Sequence, residues 1–522
     1  MPILRRIANG SYVQVDHRMH CPCNLLGFHR QGSFQLAEVF VGVAVRLSDR
    51  KLVRYCLVQG LRYRQSKEKE ETRMKVMYIK LIQPQMLKRP MDTDLKIHMA
   101  PPLGLLTVAN LLRKDHKVVL ENENVQEIHY DQPDIVGISV TVDVLPRAME
   151  ISKRFREHGC IVVAGGIHIT TASETIPPDA FDILCIGQAE GTWPAIISDY
   201  QKGDLKKIYR CSGELRADQI VSPAYDLLKT APYLYCNVVH TSRGCPYRCD
   251  FCYNSSAAHQ YINRRIEDVI RDIRAIGLRH VMFIDDNFTG NPAWTRRFLN
   301  AIKPMNLKWN AAVSINVAND PELLDLMRDS GCRSLFIGFE SVNPASIAEV
   351  HKTHNTLIQY EKAVEEIHSR GIMINGSFVF GLDGDTPATF QATLDWIVRN
   401  KIETVTSHIL TPYPGTVLFD RMKAEGRIIT NDLSLYNTAH VVYQPKNMTA
   451  DELYQGYLWM YRQIYSLKNI WRRLPDAKGQ RSTYLLFNLL YRKFGRLTDW
   501  LCRKVTYERI GKLAQRWTKY VE

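Results

Sequence analysis

Three cysteines dominate the chemistry this sequence can perform. They lie in the stretch Thr241-Ser-Arg-Gly-Cys-Pro-Tyr-Arg-Cys-Asp-Phe-Cys252, where Cys245, Cys249 and Cys252 have C-x3-C-x2-C spacing. Thiolates are soft ligands suited to iron–sulfur clusters, and so short a loop can set all three against one face of a 4Fe–4S cube. Three protein ligands leave the fourth iron open to something that is not protein. A structural zinc site would need a fourth ligand, and within 254–263 only His259 offers one. A disulfide suits a secreted scaffold, which this chain does not resemble.

On these residues the chain resembles the radical S-adenosylmethionine (SAM) superfamily. The resemblance implies that Cys245, Cys249 and Cys252 ligate the cluster and that the open iron chelates the amino and carboxylate groups of SAM. One electron then cleaves SAM to a 5′-deoxyadenosyl radical. Phe251, the aromatic just before the last cysteine, matches the position that lies against the adenine.

Such a loop must be delivered by a strand. Tyr235-Cys-Asn-Val-Val-His-Thr-Ser242 reads as that strand, and five more follow near 281–285, 308–314, 335–339, 373–381 and 404–410. Six βα units predict a partial TIM-type (β/α)6 barrel with its chemistry at the strand C-termini. The second strand ends in Asp285 and Asp286, and a carboxylate there can accept hydrogen bonds from an ammonium group. The resemblance gives one of the pair the SAM amino group; the other suits a helix cap. Glu340 ends the fourth strand, where a carboxylate can accept from both ribose hydroxyls, the family's ribose position, or serve a structural ion pair. Ser314 and Asn316 end the third strand. Gly381 closes the fifth with a turn that resembles the family's segment against adenine. Tyr413, in Thr411-Pro-Tyr-Pro-Gly-Thr416 after the sixth strand, faces the substrate side as participant or as packing.

Upstream, apolar strands at 75–82, 118–120, 135–140, 161–166 and 183–187 alternate with helices at 102–112, 145–158 and through Trp193 to Tyr200. This alternation predicts a doubly wound, Rossmann-like parallel sheet. Ligands of such sheets bind beyond the strand C-termini, where Ser139, Thr141, Gly165, Gly166, Gly187 and Glu190 would cluster. Glycines there let a bulky ligand approach the backbone. Residues 74–209 resemble a cobalamin-binding domain of the kind that precedes a radical SAM core, on Pro101-Pro-Leu-Gly-Leu105 and Ala164-Gly-Gly-Ile-His168. Many such domains carry a cobalt-ligating histidine in an Asp-x-His-x-x-Gly loop; Asp94-Leu-Lys-Ile-His98 does not fit it. The resemblance therefore implies cobalamin bound without a histidine on cobalt, and His98 and His168 read as ordinary loop histidines.

The composition is that of an ordinary globular protein, 45% apolar and 23% charged. No apolar run approaches the roughly 20 residues of a membrane span, and no secretory signal is evident. Cysteines lying singly in apolar segments (Cys160, Cys185, Cys332) read as reduced and buried, and a cytoplasmic setting is expected. The net charge of +14 belongs to the ends: residues 1–73 hold 13 basic against 6 acidic residues and 468–522 hold 14 against 4, leaving a slightly acidic middle. That distribution argues against nucleic acid as a partner.

The expected organisation is an extension over 1–73, a cobalamin-binding-like domain over 74–209, a linker over 210–232, a radical SAM core over 233–450 and a basic, aromatic helical region over 451–522. The extension ends in the polar run Arg64–Arg73, and Met74 is expected as the true start; Cys21 and Cys23 alone are a weak metal signal. The last region, with Trp471-Arg-Arg-Leu474 and Tyr484-Leu-Leu-Phe-Asn-Leu-Leu-Tyr491, reads as a helical lid on the barrel or as a surface for an anionic membrane. Together these features predict a cobalamin-dependent radical SAM enzyme that methylates an unactivated carbon of a small-molecule or lipid-like substrate. Its reductant would be a flavodoxin or ferredoxin. Cyclisation or oxidation with the same cofactors, and an iron–sulfur protein that binds nucleic acid, are the alternatives.

Overall fold

In the computed structural model, residues 4–6, 12–14, 75–90, 98, 100–256, 260–349, 357–491 and a few positions between 504 and 512 are described. The chain divides into two compact units, Met1–Lys75 and Val76–Glu522. In the first, Leu4–Arg6 pairs antiparallel with Tyr12–Gln14. Cys21, Cys23, His259, Met74 and most of the loop Asp94–His98 lie outside the described residues.

The second unit holds two parallel six-stranded sheets. The first is built from β1 (Tyr78–Gln83), β2 (Lys117–Asn122), β3 (Ile135–Ser139), β4 (Ile161–Gly165), β5 (Ile183–Ile186) and β6 (Ile208–Arg210), in the order β2-β1-β3-β4-β5-β6. The order reverses beside β1, the kind of switch point where doubly wound sheets bind ligands. The central strands are covered on both faces and read as continuous apolar runs, Ile-Leu-Cys-Ile in β5 being wholly buried. Helix α1 (Leu103–Leu112) is apolar around most of its circumference because it packs twice. Leu105, Val108, Ala109 and Leu112 face the first sheet, while Leu103 and Leu106 pack on Val238 of the second. Helix α2 (Leu145–Glu157) lines the opposite face through Leu145, Ala148, Ile151 and Phe155. Helix α3 (Ala189–Lys202) lies alongside α1 and ends at Gly203 in the left-handed region.

The second sheet comprises β7 (Val238–Val239), β8 (His280–Phe283), β9 (Lys308–Val313), β10 (Cys332–Glu340), β11 (Met373–Phe380) and β12 (Thr404–Ile409), hydrogen-bonded in chain order. Alternate residues Val281, Phe283, Trp309, Ala311, Leu335 and Ile337 feed one large core under the surrounding helices. Among the described residues β7 and β12 remain edges. Tyr225 covers β7 by donating to the Val238 carbonyl at 3.0 Å. Helix α4 (Ala450–Ile464) covers β12: the Tyr461 and Tyr465 hydroxyls donate to the carbonyls of Ser407 (3.2 Å) and Val405 (2.6 Å) and accept from the same residues' N–H groups. Arg473, fully buried, donates to the carbonyls of Ile402 and Glu403 just below. As far as Tyr491, the C-terminal helices thus pack on the sheet edge. No helix among the described residues is long and apolar enough to cross a membrane.

Two departures from the expected elements have simple causes. The strand expected over 235–242 is a ladder only at Val238–Val239, since the chain leaves it to pair Ser242–Arg243 antiparallel with Ile262–Asn263. β6 was not anticipated: it is three residues long, and two of them are exposed.

Candidate active site

The first sheet presents a cavity of about 260 Å³ between α1, α3 and the strands. Leu81, Leu105, Val108, Val163, Cys185 and Trp193 make its wall apolar, and Ser139, Gly165, Gly166, Gly187 and Glu190 stand among its lining residues. Glycines are required here. A Cβ on Gly137 would come within 2.8 Å of Leu81 and 3.0 Å of the Trp193 ring, and one on Gly166 (φ +111°) within 2.7 Å of the Val140 carbonyl oxygen. Gly187 also adopts a positive φ, +91°. An apolar slot with a backbone rim fits a flat heterocyclic base and its sugar, such as the nucleotide tail of cobalamin. Thr141 is not among the lining residues; its hydroxyl donates to Asp143 at 2.6 Å.

The histidines behave as structural residues. The His98 ring is 2.9 Å from the Pro232 carbonyl. His168 is fully buried, 3.2 Å from the Thr175 hydroxyl, and desolvation lowers its pKa to about 4. His240, which sequence reasoning passed over, lines the cavity from the second sheet, and burial with the nearby Arg243 and Arg264 cations lowers its pKa to about 4.

The cysteine loop rises from β7 at the C-terminal end of the second sheet. Cys245, Cys249 and Cys252 are half-buried, and the Cys252 N–H donates to the Cys249 carbonyl at 3.0 Å. Burial raises the Cys245 thiol, and burial with the neighbouring Cys249 and Asp286 raises Cys252 to about 11. Iron binding must displace those protons. Among the described residues no three His, Cys, Asp or Glu side chains converge on a single ion. A cube with each thiolate on its own iron requires no such convergence.

The adjacent aspartates have separate tasks. Asp285 is buried: its Oδ1 accepts from the N–H groups of Thr241 (2.8 Å) and Ser242 and from the Ser242 hydroxyl (2.8 Å). Desolvation raises its pKa to about 6 despite those bonds. It fastens the chain entering the cysteine loop and caps no helix; the cap of the following helix is Asn291. Asp286 is exposed beside the cysteines and is the carboxylate available to a ligand.

Glu340 stands at the end of β10 with φ +63°, at a register irregularity against β11, and its Oε1 would lie 2.3 Å from a Cβ on Gly338. A glutamate held in the left-handed region beside a glycine is a strained placement of the sort found at ligand sites. Ser314 caps the short turn after β9, accepting from the Asn316 N–H, and Asn316 reaches Tyr247 of the cysteine loop at 3.5 Å. Phe251 packs at the margin of the core. Gly381 has φ +97°, and a Cβ there would strike the Tyr443 hydroxyl and Leu453. The turn it makes is therefore required by packing against α4 and its approach. Tyr413 stacks on Tyr253 (centroids 4.2 Å, 24° between planes), with burial and Asp143 raising its hydroxyl pKa.

The two strand-end sites are joined. Arg243, two residues before Cys245, forms a two-pronged ion pair with Glu190 at 2.7 and 2.9 Å and donates to Gln188 at 2.7 Å. Gly415, after β12, runs so close to the first sheet's loops that a Cβ on it would lie 2.2 Å from the Thr171 carbonyl oxygen.

Family comparisons agree with this geometry. The radical SAM superfamily matches residues 239–397, the B12 binding domain matches 98–197, and a domain of unknown function (DUF4070) matches 416–480. A curated relative, the bacteriochlorophyllide d C-12(1)-methyltransferase of Chlorobaculum tepidum, is 30% identical over 410 residues, covering 76% of this chain and 89% of that one. The chain belongs to the cobalamin-binding radical SAM enzymes. The hopanoid C-2 methylase of Rhodopseudomonas palustris is 28% identical, over 66% of this chain and 68% of its own. In fold, this radical SAM enzyme is similar to the methyltransferase TsrM of Kitasatospora setae (TM-score 0.60, 14% identity, 84% of this chain and 99% of that one). It is also similar to the cobalamin-dependent radical enzyme OxsB (TM-score 0.61, 14% identity, 85% and 78%).

Proposed function

We propose that this enzyme transfers a methyl group from SAM to an unactivated carbon of a small-molecule or lipid-like substrate, with reducing equivalents from a flavodoxin or ferredoxin. The observation that carries this reading is the union, in one folded unit, of a glycine-rimmed cavity at one set of strand ends and a three-cysteine loop at the other, bridged by Arg243 and Glu190. When bound, the cluster would supply the electron that cleaves SAM, and cobalamin the carrier of the methyl group.

In this reading Cys245, Cys249 and Cys252 hold the cluster, Asp286 takes the SAM ammonium, Glu340 takes the ribose hydroxyls and Phe251 flanks the adenine. Ser139, Gly165, Gly166 and Gly187 bound the nucleotide tail, with no histidine offered to cobalt from the His98 loop. The Tyr253–Tyr413 stack walls the substrate side and excludes water. The named substrates of the relatives, a bacteriochlorophyllide and a hopanoid, support a lipid-like compound. Exposed Leu467 and Trp471, beside Lys468 and Arg472, would meet a membrane from which such a substrate came.

The test is anaerobic purification with cluster reconstitution, followed by assay of bound cobalamin and of SAM products. Cobalamin together with S-adenosylhomocysteine and 5′-deoxyadenosine supports methyl transfer. Deoxyadenosine with cobalamin but no homocysteine product favours a cyclisation instead. Relatives named as anaerobic magnesium-protoporphyrin IX monomethyl ester cyclases, one 24% identical over 399 residues, keep that second reading in view.

A further inference from the structure

The segment leading into the cysteine loop is held from four directions. Asp285 accepts the N–H groups of Thr241 and Ser242. Ser242–Arg243 pairs with Ile262–Asn263. Gly244, at φ +74°, runs so close to Gln260 that a Cβ would lie 2.2 Å from its carbonyl oxygen. These three holds lie within the second sheet and its loops. The fourth, the Arg243 side chain, crosses to the first sheet. Its guanidinium grips both oxygens of Glu190, and Nη1 also reaches Gln188. Glu190 Oε1 further accepts the Val221 N–H at 3.2 Å, in the connection between the sheets. The Glu190 side chain is only 5% exposed, so its charge depends on Arg243 for compensation.

Gly187, Gln188 and Glu190 also line the cavity, together with His240 and Arg243 itself. The same few residues are therefore both the lip of the cavity and the anchor of a side chain two positions before Cys245. A planar guanidinium on a carboxylate fixes direction as well as distance, so a shift of the lip is carried to the loop backbone.

We propose that Arg243 is a positioning residue which, through Glu190 and Gln188, ties the lip of the cavity to the cluster loop, so that cobalamin binding and cluster assembly favour each other. This inference rests on the cobalamin reading above. Filling the cavity orders the lip, the ordered lip holds the guanidinium, and the guanidinium sets the path of Ser242 to Cys245. Linkage makes the effect reciprocal: whatever the cluster does for cobalamin affinity, cobalamin does for the cluster.

The test uses the full-length chain with its cluster assembled and the same chain with iron removed, each dialysed to equilibrium against hydroxocobalamin. In the wild type the cluster should tighten hydroxocobalamin binding about fivefold or more. In E190Q and R243K, each checked for native circular dichroism, both ligands should still bind while the ratio of the two dissociation constants falls towards one. Lysine keeps the charge but not the two-pronged geometry, and glutamine keeps the shape but not the charge. Should one variant not fold, the other reads the same ratio, and Q188A provides a milder third. A wild-type ratio of one, or a ratio unchanged in the variants, overturns the inference and leaves cobalamin binding intact. Absence of hydroxocobalamin binding by every form overturns both.

Discussion

At the carboxyl ends of β3 to β5 the chain offers backbone and shape: Gly165, Gly166 and Gly187 around a slot floored by Leu81, Gly137 and Trp193. At the carboxyl ends of β7 to β12 it offers charge and ligating atoms: three thiols, Asp286, Glu340 and Tyr413. Both lie beyond strand C-termini, where parallel sheets commonly bind ligands. The difference lies in what shapes each site. The slot has its form because side chains are missing where they would collide. The chain entering the cysteine loop has its path because buried groups such as Asp285 hold its backbone from behind. On this contrast one site should be sensitive to added volume, the other to removed polar atoms.

The largest test of that contrast removes a thiol. C245A should lose cluster iron and all SAM cleavage, as read by iron analysis and deoxyadenosine formation, while far-ultraviolet circular dichroism stays native. An active C245A would break the assignment of the cluster to this loop. Adding volume to the other site comes next. G137V pushes methyl groups against Leu81 and Trp193, and should weaken hydroxocobalamin binding about tenfold or more and cost about 1–3 kcal/mol of stability. The cluster should still assemble, and normal cobalamin affinity would show that the slot is not the tail site.

The two aspartates sharpen the contrast within the second site. D286N should raise the dissociation constant for SAM roughly ten- to hundredfold with the iron content unchanged, the loss of one charge-assisted hydrogen bond. D285N should chiefly lower cluster retention. The reverse pattern, read by SAM equilibrium dialysis and iron analysis, would exchange their roles. The smallest expected effect is a control at the opposite end of the second sheet, where His368 Nε2 lies 3.2 Å from Glu403. Burial opposes its imidazolium, but the Glu403 hydrogen bond prevails and the folded pKa lies above 6.5. Its stabilisation is therefore complete below about pH 6.5 and is lost as pH rises through the folded value. H368Q should reduce that pH-dependent stability, read by urea unfolding, by about 1 kcal/mol or less, with neither ligand affected. A change in SAM or cobalamin affinity would mean that the two ends of the sheet are not independent.

What the sequence disclosed followed the range of its signals. The cysteine loop and the alternation of apolar strands are local patterns, readable within a dozen residues. The separation of Asp285 from Asp286 was not readable, because neighbouring residues at a strand end can turn either way and only the tertiary partners Thr241 and Ser242 decide it. The bond of Arg243 to Glu190 spans 53 positions and leaves no periodic trace, so nothing in the motif pointed to Arg243. Glu190 and Gly381, both expected at cofactors, also serve protein contacts: one holds Arg243, the other makes room for Tyr443. Sequence position placed them at strand ends but could not say what already occupied the space.

The phenols on the rim of the second sheet have a consequence for anyone shortening this chain. Val405 and Ser407 have their outward amides and carbonyls occupied by Tyr465 and Tyr461, so deleting the helix that carries those rings would bare a row of unpaired backbone groups. Bare edges recruit other chains. A truncation before residue 450 should therefore precipitate or self-associate, and its inactivity would report stickiness rather than a lost catalytic part.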